Sequence, residues 1–147
     1  MASASDHIAL ANRNQEALSY LLVEHARFPE WITTIAFYKA LHVVDAMLEE
    51  DEAPMPNDHK RRAAILKSDP RYDNVYRHYH VLSNASSIAR YLSDLRHTEF
   101  RSFADFLKAD QVPATIVRHR LHQLEESAIK LMPKNSKALV RAHAAAH

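Results

Sequence analysis

The chain has 147 residues, 47% hydrophobic and 25% charged, with a formal net charge of +1 and neither cysteine nor glycine. That length fits one domain with one core, and no apolar run reaches the ~18 residues that a membrane-spanning helix needs. Lack of cysteine excludes disulfides and thiolate chemistry, lack of glycine argues against phosphate-cradling loops and dinucleotide fingerprints, and the near-neutral balance leaves room only for a local nucleic-acid footprint.

Apolar residues recur at helical spacing and prolines mark most breaks. The expected fold is all-α: an up-and-down bundle of four to five main helices plus short ones, in a single domain over 1–147. MASAS begins no signal peptide, since no charged region and apolar stretch follow it, and a cytoplasmic protein is expected. A first helix is predicted from about Asp6 to Arg27, with Ser5 as N-cap and Ile8, Leu10, Ala11, Leu18, Leu21 and Leu22 toward the core. Pro29 separates it from a second helix, about Glu30 to Glu50. The run EEDE and the stretch APMPND then form a loop, because Pro54 and Pro56 disfavour helical backbone before them. Asn57 or Asp58 caps a short helix, HKRRAAILKS. Asp69 and Pro70 open a fourth, which the pattern carries through His97 with a bend around Ser83 to Ser87. Further helices are predicted over Ser102 to Lys108 and Pro113 to Leu131, the latter presenting Val117, Leu121, Leu124, Ala128 and Leu131 as one stripe. Residues 134–147 are expected to fray.

Three constellations carry chemistry. In the second helix Tyr38, His42, Asp45 and Glu49 form a narrow polar row within apolar surroundings; a core-edge histidine held by Asp45 explains it as well as a site does. His59, Lys60, Arg61 and Arg62 crowd positive charge at a helix start, where an anion relieves the electrostatic cost; that anion is either the EEDE run or a bound phosphate. Ser83, Ser86, Arg90, Asp94 and His97 share one face if the fourth helix continues, with Arg90 paired to Asp94 or free for a ligand. His119, His122 and Glu126 have spacing that suits a metal or a solvated face. His78 and His80, two positions apart on a helix, diverge and cannot chelate one ion together.

Trp31, Phe37, Tyr38, Ala40, Leu41, His42, Asp45, Ala46 and Leu48, then His59 and Arg62, then Tyr79, Leu82, Ser86, Ala89, Arg90 and Tyr91 make a pattern that resembles small bacterial proteins of the HEPN superfamily. The resemblance covers about residues 6–97. It implies a helical bundle, a homodimer, no cofactor, and binding of RNA or a nucleotide, with metal-independent endoribonuclease activity in many members. In that chemistry an arginine, followed after four to six residues by a histidine, stabilises the scissile phosphate while a base takes the ribose 2′-hydroxyl proton. Arg71 to His78, Arg90 to His97 and Arg141 to His147 all fit that spacing. With 12 arginines and 11 histidines, roughly 2.7 such matches arise by chance, so the spacing alone decides nothing. Arg90 and His97 are the expected catalytic pair because Arg90 falls where the resemblance is densest. Tyr38, His42, His59, Arg62 and Tyr91 are expected to line the ligand site, with His42 facing His59, Arg62, Arg90 and Tyr91 across the bundle.

Two other functions compete. One is a non-catalytic interaction or regulatory module, antitoxin-like, with a protein partner. The other is a DinB-like metal-binding bundle in which His42, His59 and one of His78, His80 or His97 hold a divalent ion.

Overall fold

Ser3, not Ser5, starts the first helix. Its hydroxyl accepts from Asp6 N–H at 3.2 Å while its own N–H donates to the Asp6 carboxylate at 2.8 Å, a reciprocal cap that satisfies two otherwise orphan donors. In the computed structural model, which describes residues 2–142, this helix, α1, is Ala4–Leu22. Ala4, Ile8, Ala11, Gln15 and Leu18 face inward at steps of four and three, whereas Leu10, expected inside, is 46% exposed.

Pro29 occupies the first turn of α2, Pro29–Glu50, where its missing N–H costs nothing. From Ile32 to Leu48 nearly every residue is buried, so α2 is the central helix, packed on α1 along one side and on α4 along another. Asp58 caps α3, His59–Ser68, by accepting from Arg61 N–H at 2.7 Å. Asp69 then caps a 3₁₀ turn, Pro70–Tyr72, which leads into α4, Asp73–Tyr91. The helix runs unbroken past Ser83 to Ser87 and stops at Leu92, which takes the left-handed conformation at φ 55°.

The helix expected at Ser102 to Lys108 shrinks to a 3₁₀ turn, Phe103–Asp105, held by Phe103 and its ring contacts with Phe106; seven residues offer too few bonds to offset helix nucleation. Chain 113–129 winds first as a π-helix, Pro113–Leu121, and then as α5, His122–Ile129. The wider opening turns Ile116 as well as Val117 inward; Leu121, Leu124 and Ala128 follow, and Leu131 is only partly buried.

Residues 134–142, expected to fray, are docked instead. Glu50 accepts from Lys134 N–H and from the Asn135 backbone and amide, Asn12 bonds Ala138 O and Val140 N, and Leu139 and Ala142 are buried. The all-α bundle is thus observed. Among the described residues no helix is long and apolar enough to cross a membrane.

Candidate functional site

Arg90 lies one residue before the end of α4, and its guanidinium is held by neutral groups alone. Nε donates to the Ser86 carbonyl at 3.3 Å and hydroxyl at 3.1 Å; Nη1 donates to the Tyr38 hydroxyl at 3.4 Å and the Tyr91 hydroxyl at 3.3 Å. Both rings also carry the cation, Tyr91 at 4.9 Å and Tyr38 at 5.8 Å from their centroids. No carboxylate pairs with it among the described residues. Asp94, its expected partner, is spent on its own turn, accepting from the Arg96 and Thr98 N–H groups.

The sequence therefore locates Tyr38, Arg90 and Tyr91 correctly as neighbours. Beside them lies a cleft of about 340 Å³ between α2 and α4, lined by Glu30, Trp31, Thr34, Ala89 and Arg90. Trp31 is 61% exposed and Tyr91 68%. Glu30 was missed by sequence reasoning, although an acidic residue and a tryptophan directly after a helix-starting proline are a readable signal for a helix mouth.

Other expected members are placed differently. Arg62 is not free. It grips Asp45 through two bonds, Nε–Oδ1 at 2.8 Å and Nη2–Oδ2 at 3.0 Å, in a pair that is nearly buried and fastens α3 to α2. The Tyr79 hydroxyl lies beside that guanidinium, and burial raises its pKa. His42 turns from this group toward α1: its Nδ1 is 3.2 Å from His7 Nδ1 and the two rings stack. One ring donates and the other accepts, so protonating both breaks the bond. Burial, then His7, lowers the His42 pKa. His59 tilts onto Phe37 at 5.7 Å, and burial, then Arg62 and Arg90, lowers its pKa too. The convergence expected around His42 is therefore partial: one group forms at Arg90, a second at Asp45–Arg62, a third at His7–His42.

His97 is the clear correction. Because α4 ends at Tyr91, residues 94–98 form a separate turn in which His97 is exposed, at φ 65°, with its N–H on Asp94 O at 3.0 Å. It does not stand two helical turns above Arg90. The other spacings fare no better. Arg71 is bound to Asp51 and Asp69, His78 is buried against Arg120, and His147 lies outside the described residues.

The EEDE run does not neutralise the α3 start either: Asp51 takes Arg71 and the Tyr72 hydroxyl, and Glu50 holds Lys134 and Asn135. Among the described residues no three His, Asp or Glu side chains are placed to hold one metal ion; neither the His42–His59 set nor the His119–His122–Glu126 set comes together. His122 instead meets Glu126 at 3.6 Å and the Ala142 carbonyl at 3.1 Å.

Sequence reasoning also passed over a fully buried charged pair. Lys39 of α2 is fully buried, with Nζ 2.6 Å from the Glu125 carboxylate and donating to Gln15 Oε1 at 2.7 Å and Val140 O at 2.8 Å. Glu125 Oε1 accepts from Ala142 N–H at 2.8 Å and from Arg141 Nε at 3.3 Å. This network joins α1, α2, α5 and the stretch that follows it. No protein-family model, no curated protein and no solved structure matches the chain.

Proposed function

We propose that the chain is a HEPN-like domain that binds RNA or a nucleotide, with the anionic group on Arg90 and the exposed rings of Trp31 and Tyr91 beside it. The single observation that carries this reading is the Arg90 guanidinium, oriented by two tyrosines and a serine and left without a carboxylate among the described residues. Arg62, Arg71 and Arg141 all have acidic partners. A planar fork whose stacking and hydrogen bonds fix it in advance loses little freedom on meeting a phosphate. Aromatic faces next to a cation suit unpaired bases.

The reading is binding rather than cleavage by Arg90 with His97, because His97 lies on a separate turn. Anisotropy of a labelled single-stranded RNA tests it. Arg90→Ala should weaken binding at least about tenfold, since a charge-assisted contact is worth about 1.5–3 kcal/mol, while Arg13→Ala on the outer face of α1 should leave it unchanged. RNA that stays intact throughout fits the binding reading.

A second reading, the non-catalytic interaction module with a protein partner or a second copy, is favoured by that outer face. Leu10, Tyr20 and Val23 are exposed there beside a hollow of about 480 Å³ lined by Arg13, Glu16, Ala17, Tyr20 and Leu21. Anisotropy that does not respond to RNA at any concentration overturns the first reading in favour of the second.

A further inference from the structure

Resting on the nucleotide-binding reading, we propose that the Glu30–Trp31–Arg90 cleft selects guanine. Glu30 and Arg90 reach the same hollow from α2 and α4, yet they form no ion pair or hydrogen bond with each other among the described residues. Two opposite charges that share a cleft without meeting leave both ends open to a ligand that is itself dipolar. A guanine nucleotide is such a molecule: its phosphate is an acceptor for the guanidinium, and its base edge donates.

The base edge decides the choice. Guanine presents N1–H and an exocyclic N2–H side by side, and a carboxylate offers two acceptor oxygens at matching separation. Adenine and cytosine set a ring-nitrogen lone pair beside their amino group, and uracil flanks its one N–H with carbonyls, so each turns an acceptor toward an acceptor-only group. A site built around a hydrogen-bonding group discriminates strongly when that bond cannot form.

Trp31 supplies the remaining contact. Its ring is 61% exposed at the mouth of the same cleft, where a base can stack on it, and Ala89 opposite adds no bulk. The cleft, at about 340 Å³, lies in the range that small ligands occupy.

Trp31 is the only tryptophan in the chain, so its fluorescence reports on this cleft and nowhere else. The unmodified protein is titrated with the 5′-monophosphates of guanosine, adenosine, cytidine and uridine, and with guanosine itself. Guanosine monophosphate should quench Trp31 and bind at least about tenfold more tightly than the other three, with guanosine weaker for want of the phosphate. Glu30→Gln should erase the preference for guanine while nucleotides still bind, and Arg90→Ala should weaken all of them. Equal affinities for the four nucleotides, with dependence on Arg90 retained, overturn guanine selection and leave the nucleotide reading standing. Failure of every nucleotide and of RNA to bind overturns both. The comparison among nucleotides uses the native chain, so it stands whether or not a variant folds.

Discussion

His78 has cationic neighbours on several sides. It is 7% exposed; Arg120 Nη1 approaches its Nδ1 at 3.3 Å, the His119 ring stands edge-on at 5.9 Å, and Arg77 precedes it. Burial, then Arg120, His119 and Arg77, push its pKa down from 6.5 to about 4. In the unfolded chain the ring takes its proton near the ordinary value. Between those two pH values the unfolded state therefore binds more protons, and folding stability falls as the pH falls. His42 and His59, depressed by burial first, act in the same direction. Allowing for partial solvent contact, His78 contributes a loss on the order of 2 kcal/mol once the pH reaches its folded value. Urea unfolding of the wild type and of His78→Phe, at about pH 7.5 and about pH 4.5, should show the smaller loss in the variant; equal losses would refute the assignment. At this scale legibility follows type and company. Arg90 and its tyrosines can be read because the resemblance sets Tyr38, Arg90 and Tyr91 in one group, and the structure brings the three side chains together. Lys39 cannot, since one lysine within IAFYKALHVV looks like a solvated point, whereas α2 turns out to be covered on most of its faces and Lys39 lies on a covered one.

Helix ends show what a chain without glycine does instead. At the end of α2, Glu52 adopts φ 58°, Ala53 N–H donates to Leu48 O at 2.9 Å and Glu52 N–H donates to Glu49 O at 3.2 Å: the Schellman arrangement, in which glycine usually holds the left-handed position. A side chain there costs about 1–2 kcal/mol, of which glycine's extra unfolded-state freedom takes back roughly half. Glu52 is exposed, so Glu52→Gly should raise stability by about 0.5–1 kcal/mol in thermal or urea unfolding; an unchanged or lower midpoint would show that the carboxylate contributes more than the strain. Leu92 closes α4 in the same left-handed way. Because neither glycine nor proline marks that stop, the apolar pattern reads straight through Tyr91 to His97, and the supposed Arg90–His97 face comes from that overrun. Where start signals exist, at Pro29, Asp58 and Asp69–Pro70, the helix starts are legible to within a residue or two, whereas α1 ends at Leu22, well short of the expected Arg27.

Across the whole molecule, the Lys39–Glu125 pair ties together segments that are far apart in sequence: α1 through Gln15, α2 through Lys39 itself, α5 through Glu125 and the C-terminal stretch through Val140 and Ala142. Removing Lys39 leaves the buried Glu125 carboxylate with only the part-exposed Arg141 as counter-charge, so Lys39→Met should cost about 3 kcal/mol. The double variant Lys39→Met/Glu125→Leu should recover a large part of that loss, because neither charge is then left alone. Chemical denaturation followed by helical circular dichroism measures both, and a double variant no more stable than the single would mean that packing rather than charge sets the cost. The all-α class could be anticipated from periodicity, but this tie could not, as nothing local in the sequence announces a contact between positions so distant.

The same tie has a consequence for synthesis. Val140 follows Lys39 by 101 residues, so at roughly 5–20 residues per second the ammonium waits on the order of 5–20 s before its last acceptor is even made. Until Glu125 is made, α1 and α2 can pair only around an ammonium that has Gln15 but no counter-charge, which favours keeping that ammonium in water. Native closure of this bundle is then a late event, set by the arrival of its last segment.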